Sequence, residues 1–556
     1  MPKTLAILEV SQKQAYIFSS KFLKENRRRS RAIRVATEEL WMECLSESLT
    51  REERQRRLVY AGGGHIILQF ESRKEAEETI RAITYRAYTD FAGMEMFAKL
   101  WDYDSDLPQR EERYQGLTAP AANLKELTRQ LEIKKSLRAA SFRRRSTGLE
   151  ELDEVTFQPR EPGRVLKLDP EPHPLIPEEN LEYAHEQEFD GLAGKDNFIA
   201  VVHIDGNNMG AKSQRVTEEA GDDWKECCKK HQLFSESVER AFQTALWRTY
   251  KMVEEKQQAG ELEELGITDC NITHPMKPVV AAGDDICFVT SGKLGIECAA
   301  YFLRALQNPN DPRYPIGPDN HGAPWEAELE PYSACAGVAM VHTKYPFHRA
   351  YELSEDLCSS AKRYAAELGQ DKTEAERECI STIDWHIEFG QGRGSVSESR
   401  EDYLTEDSGD GKTKENPIRS LTLRPLVVIG DGEKSFRSYQ FFLRLFDKLS
   451  NSLTEDDSER TRDKVARSKL KGLREPLKQG EWETKLYIRE NGLNELEKWA
   501  YDQIEGLHAG KRTQESFTPV EQEGQGEKRR YTQRSLSFDA IELVDHLMIL
   551  DREELK

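Results

Sequence analysis

Short apolar runs at residues 4–10, 58–60 and 65–70 predict three strands, and the glycines Gly62, Gly63 and Gly64 between the last two predict a tight turn. Helical spacing covers residues 14–49 and again 74–88, and residues 93–101 supply a closing strand. The resulting order, βαββαβ, predicts a ferredoxin-like unit over residues 1–110.

Residues 111–145 read as helical and basic, until Pro159, Pro162, Pro170, Pro172, Pro174 and Pro177 rule out further helix. Residues 111–195 are thus a helical insert and a proline-rich linker. A second unit, 196–390, opens with a continuous apolar run at 197–204, the pattern of a strand covered on both faces. A long amphipathic stretch follows at 222–264, then strands at 278–282 and 286–289, a helix at 295–306, a strand at 332–341 and a helix at 347–366. This repeats the first unit with insertions. The fold class is therefore α+β, with two ferredoxin-like domains side by side. Residues 391–420 are polar and read as a flexible linker, and 421–556 as a C-terminal helical domain. Its helices are expected at 439–453, 464–505 and 537–550, with a disordered polar stretch at 509–530.

Composition narrows the function. A hydrophobic fraction of 37% beside 32% charged residues, with no apolar run of about 18 residues, argues against a membrane protein. The N-terminal apolar run is too short for a signal-peptide core and reads as the first strand of a cytoplasmic protein. Nine cysteines without a CxxC pair support neither a zinc knuckle nor a disulfide framework. A net charge of −20 speaks against indiscriminate nucleic-acid binding. Two basic clusters stand out against it: Arg27, Arg28, Arg29, Arg31 and Arg34, and then Lys134, Lys135, Arg138, Arg143, Arg144 and Arg145. Each reads first as a solvated helix face, because acidic residues crowd the flanks.

The candidate chemistry lies in the second unit. Asp205 ends its first strand, and Ala282-Gly283-Asp284-Asp285 forms the hairpin between two apolar runs. In a βαββαβ order that strand and that hairpin are neighbours, so three carboxylates converge. Unpaired, they would repel one another and raise their own pKa values. Mg²⁺ or Mn²⁺ would neutralise them and hold the phosphates of a nucleotide. Gly283 supplies the tight turn and leaves room for a triphosphate. An Asp-Asp turn alone is most often a solvated hairpin, and combination with Asp205 makes nucleotidyl transfer the leading reading.

Several ordered motifs add to this. Asp205-Gly206-Asn207-Asn208-Met209-Gly210 is similar to an Asp-Gly-Asp-x-Met-Gly motif, and Ala282-Gly283-Asp284-Asp285 to Gly-Gly-Asp-Asp. Ser333-Ala334-Cys335-Ala336-Gly337, Lys344-Tyr345-Pro346-Phe347 and Ala361-Lys362 follow in order. With these motifs the chain resembles the large polymerase-cyclase subunit of type III CRISPR effector complexes (Cmr and Csm type), itself similar to the GGDEF-type cyclases. The first unit adds the run from Val10 to Phe18 and Gly62-Gly63-Gly64-His65, similar to that family's degenerate first palm. The resemblance implies that Asp205, Asp284 and Asp285 hold the metals and catalyse. It also implies that Gly206, Asn207, Asn208, Gly210, Gly283 and Lys362 bind nucleotide, with Lys362 on the triphosphate. Ser11, Gln14, Gly63 and Gly64 would face the nucleotide from the first palm.

Departures are equally specific. Asn207 replaces the family's second Asp, which removes one negative charge and would weaken metal binding or move catalysis from two ions to one. Ala282 replaces the first Gly, an exchange the turn tolerates. No HD-type nuclease domain precedes the first palm, and His65 stands where that palm would need an acid. The activity expected by resemblance is joining ATP or related triphosphates into cyclic oligonucleotide messengers for antiviral defence. The alternative is a non-catalytic scaffold that binds guide or target RNA and CRISPR effector subunits through the two basic clusters. Base selection, ring size, linkage, trigger and oligomeric state are not written in the sequence.

Overall fold

The computed structural model describes residues 3–18, 20, 23–91, 93–137, 188–266, 274–314, 329–390, 395–430, 435–454, 465–494, 516–518, 520–523 and 529–552. The prolines at 159–177, four arginines of the second basic cluster and residues 495–505 lie outside these.

The first palm consists of β1 (Thr4–Ser11), β2 (Leu58–Gly62), β3 (His65–Phe70) and β4 (Glu95–Asp102). Their order is β2-β3-β1-β4 and every neighbour is antiparallel, the ferredoxin-like arrangement. The segment after β1 is not one long helix. It breaks into α1 (Lys13–Ile17) and α2 (Leu23–Arg34), then a π-helical stretch at Val35–Glu39 and a short helix at Leu40–Cys44. The breaks let Ile17, Phe18, Leu23, Ile33 and Trp41 all reach one core, which a straight helix would not allow. On the same sheet, α3 (Arg73–Asp90) starts at Ser72, whose hydroxyl accepts from the Glu75 amide. The opposite face is covered by α4 (Ala119–Ser136), where Leu127 and Leu131 meet Leu5 and Ile7.

The second palm is assembled from β5 (Phe198–Gly206), β6 (Met276–Ala282), β7 (Asp285–Ser291) and β8 (Ala334–His342), ordered β8-β5-β7-β6. Two further strands that the sequence reading missed extend it: β9 (Ser381–Glu388), parallel to β8, and, after a short β10 (Ile418–Ser420) in another sheet, β11 (Leu426–Ile429). Helices α5 (Met209–Glu219), α6 (Trp224–Gln258), α7 (Gly295–Gln307) and α8 (Phe347–Leu368) flank the sheet. Along β5, Ala200, Val202 and Ile204 face the core shared with α6 and α7, while Ile199 and Val201 face the core shared with the first palm. Burial on both faces is why this strand reads as an unbroken apolar run.

The described helices of the C-terminal part pack into the core of the second palm. Helix α9 (Tyr439–Asn451) packs Phe442 at 5.1 Å from Trp385 of β9, inside the second palm's core. Buried Glu297 of α7 accepts hydrogen bonds from the Tyr439 hydroxyl and, at 2.9 Å, from the Leu550 amide. Fully buried Arg424 pairs with Glu542 at 2.7 Å. Only Phe538–Glu542 is helical within 537–550. The expected linker holds a capped helix at Val396–Glu401, strand Glu521–Glu523 falls in the stretch read as disordered, and strand Arg530–Arg534 starts at its end. Among the described residues no helix is long and apolar enough to cross a membrane.

Five described members of the basic clusters are engaged within the fold. Arg29 pairs with Glu25 at 3.0 Å, Arg31 with Glu39 at 2.8 Å and Arg34 with Glu38 at 2.8 Å. Lys135 pairs with Glu9 at 3.1 Å, and Lys134 donates to the Ala98 carbonyl at 2.8 Å.

Candidate functional site

Antiparallel pairing sets Asp205 of β5 directly opposite Asp285 of β7, so both side chains lie on the face turned to the first palm. Ala282 pairs with Asp285, which leaves Gly283 and Asp284 as the two turn residues. Gly283 has φ +61° at the first turn position, where a tight hairpin calls for glycine. Being in the turn, Asp284 escapes strand alternation and lines the same cavity as the other two. Gly206 makes room for it, since a Cβ there would lie 2.9 Å from Asp284 Cβ. Gly337 has a comparable part in β8. A Cβ there would meet the Ser354 carbonyl at 2.0 Å and the Cys358 amide at 2.3 Å, so glycine lets α8 lie flat on the sheet. That contact carries Lys362 to the strand end, where its Nζ is 2.5 Å from Asp205 Oδ2 and 2.9 Å from the Gly206 carbonyl.

These groups line a cavity of about 1030 Å³ between the two palms, at the upper end of the roughly 300–1,000 Å³ typical of small-molecule sites. The second palm contributes Asp205, Gly210, Gly283, Asp284, Asp285 and Lys362; the first contributes Gln14, Gly63 and Gly64. Ser11, Gly206, Asn207 and Asn208 are not in the lining. Ser11 ends β1 paired with Glu95. The buried Asn207 side chain donates to the Ile380 carbonyl at 2.9 Å and ties the loop to the start of β9. Asn208 takes φ 56° as the residue before α5, whose first residues Met209 and Gly210 abut the cavity.

Burial, then repulsion from Asp205 and from Asp285, pushes Asp284 up to about 7. Burial and Asp205 push Asp285 to about 7 as well. Although burial opposes it, the Asp205 carboxylate holds the Lys362 ammonium above its ordinary value. Burial and nearby Lys13 lower His65 to about 4, and its ring stacks on Tyr60 at 4.8 Å.

Among the described residues no set of three His, Cys, Asp or Glu side chains is arranged as a ready metal cage. The donors still fit a hard divalent cation. Three carboxylates supply oxygen ligands, and Asp285 Oδ1 is buried without a hydrogen-bond partner. In this arrangement Lys362 supplies the neutralising charge at Asp205.

Sequence reasoning missed His203, Glu355 and Tyr60, all of which line the cavity. His203 was legible: it lies two residues before Asp205 and so on the same strand face. Glu355 and Tyr60 carry no local signal, because only tertiary packing turns them inward.

Residues 198–368 match the family profile described as Cas10/Cmr2, second palm domain. No curated protein matches the chain. Among solved structures, a Csm1-Csm4 cassette in complex with cA4 shares 14% identity, with 90% of this chain and 64% of that chain covered and a TM-score of 0.48. A Csm1-Csm4 cassette in complex with cA3 gives 14%, 92%, 66% and 0.49, and one in complex with AMPPNP gives 17%, 65%, 53% and 0.42. This chain thus spans less than two thirds of the length of these relatives. Residues 198–368 are thus similar to the second palm domain of Cas10/Cmr2, and the unit beside them has the same strand order.

Proposed function

We propose that this chain is a nucleotidyltransferase that joins ATP or related triphosphates into cyclic oligonucleotides in a type III CRISPR antiviral response. The observation that carries the reading is the cross-strand pair Asp205 and Asp285, with Asp284 and Lys362 beside it, in a cavity walled by both palms. In the reaction a 3′-hydroxyl of one nucleotide attacks the α-phosphorus of another, the α–β bridging bond breaks, and pyrophosphate leaves with that electron pair. The hydroxyl proton passes to solvent. Mg²⁺ or Mn²⁺ held by Asp205, Asp284 and Asp285 would supply charge neutralisation for the phosphates and acidify the attacking hydroxyl.

The chain's own residues do the rest by placement. Lys362, at the strand end beside Asp205, would hold the triphosphate. The start of α5 presents backbone amides at the cavity wall, an electropositive helix end suited to phosphate. Gln14, Gly63 and Gly64 bring the first palm close to the second nucleotide. The cavity volume supports two nucleotides meeting in one site, so catalysis rests on positioning and electrostatics.

The scaffold reading is the weaker one, because Arg29, Arg31, Arg34 and Lys135 of its basic clusters are held in internal ion pairs. CRISPR effector subunits and guide or target RNA remain the partners that the family likeness proposes. Purified protein is incubated with ATP and Mg²⁺ or Mn²⁺, with and without RNA, beside an Asp284→Ala, Asp285→Ala double variant, and products are read by mass spectrometry. Cyclic oligoadenylate from the wild type alone supports the reading, and no product under any condition sinks it.

A further inference from the structure

His203 sits on β5 two residues before Asp205, with its side chain 6% exposed. Its Nε2 lies 3.4 Å from Asp285 Oδ1, the buried oxygen that has no hydrogen-bond partner. His203 Nδ1 is likewise without a partner. Asp285 is the acid within ion-pair range of this ring, while Asp205, Glu355 and Lys362 also act on it electrostatically; with its proton on Nε2 the ring faces Asp285 as a donor. The ring is also clamped. It stacks on Tyr351 of α8 with centroids 5.4 Å apart and planes within 17°. Tyr351 in turn stacks on Phe18 at 3.7 Å and 23°. Phe18 caps α1, the first-palm helix that presents Gln14 to the cavity. Three rings thus run from the first palm to an acid of the second.

We propose that His203 is a positioning residue: its Nε2–H orients the Asp285 carboxylate, and the stack on Tyr351 and Phe18 makes that orientation depend on the first palm. This rests on the nucleotidyltransferase reading, in which Asp285 must present an oxygen to the cation and phosphates. A ring stacked on Tyr351 keeps its donor turned to Asp285, so Asp285 is set before substrate arrives. Partners of this kind change affinity or activity by about 10- to 100-fold when removed.

The test compares His203→Gln with His203→Asn. A glutamine amide nitrogen reaches the position of Nε2, whereas that of asparagine falls short. Steady-state synthesis from ATP and Mn²⁺ affinity by electron paramagnetic resonance are read on the full chain, beside thermal melts. We expect His203→Asn to lower kcat by about tenfold or more and to weaken Mn²⁺ binding in parallel, with KM for ATP within about twofold. His203→Gln should recover most of both at an equal melting temperature. Phe18→Leu, at the far end of the stack, should shift kcat in the same direction by a smaller factor. Equal behaviour of the two His203 variants, or a wild-type His203→Asn, overturns the proposal. A His203→Asn chain that does not fold leaves Phe18→Leu to decide, and its unchanged kcat and Mn²⁺ affinity also overturn it. If the wild type makes no product while Mn²⁺ binding still separates Asn from Gln, the positioning role stands and the enzymatic reading falls.

Discussion

Asp284→Asn is expected to stabilise the metal-free protein while abolishing its activity. Burial and two neighbouring carboxylates move Asp284 from an ordinary 3.8 to about 7. That difference corresponds to about 4 kcal/mol between its two protonation states. The cavity is open to water, and screening leaves about 1 to 2 kcal/mol of this as realised stability. The folded value lies above the unfolded one, so the contribution is complete below 3.8 and lost as pH rises through about 7. Asparagine matches the protonated acid in shape and cannot ionise. In EDTA at pH 8.5 the variant should therefore melt a few degrees higher, at about 2 to 4 °C per kcal/mol. The gain should shrink steadily on acidification and approach zero near pH 4. With Mn²⁺ at pH 8.5 the order should reverse, because the wild type gains a bound ion and the variant loses a ligand. A variant less stable than the wild type at pH 8.5 in EDTA would refute the argument, since Asp284 would then be held by favourable contacts and not forced into place.

Three further outcomes are expected. Gly337→Ala drives a methyl into the backbone of α8 and should destabilise the fold by about 3 kcal/mol or more, read by guanidinium unfolding. Asn207→Asp restores the residue the family pattern calls for but loses the donor to the Ile380 carbonyl. It should lower stability by about 1 to 3 kcal/mol in urea melts and leave Mn²⁺ affinity no higher. Lys362→Met should raise KM for ATP about tenfold or more through loss of a charge-assisted contact, while Mn²⁺ binds no more weakly.

Both palms were legible because their strands bury at least one face and are bounded by glycine turns. The hairpin at Gly283 is the clearest case, since strand neighbours, turn type and adjacent acids all follow from one tetrapeptide. The strands β9 and β11 were missed because each adds to the outer edge of a sheet already complete in the βαββαβ pattern. Nothing local in 381–388 distinguishes a sixth-strand neighbour from a linker. The packing of the C-terminal helices was not legible for a related reason: periodicity in 439–451 reports an apolar face, not which core receives it. At the site, strand ends and turn residues were found from sequence alone. Asn207 was read as a nucleotide contact by analogy, whereas its amide is turned to the backbone of residue 380. His203 was passed over as part of a buried run, although alternation already placed it beside Asp205.

Glu297 carries a consequence for how this protein ages and is handled. A carboxylate sunk beside α7 depends on amides from Leu550 and Asp551 to satisfy one of its oxygens. Proteolytic trimming that removed Leu550 and Asp551 would strand a buried acid beneath the second palm and loosen the sheet that bears the hairpin. Damage at the tail would then register as lost synthesis, even though no cavity residue had been touched.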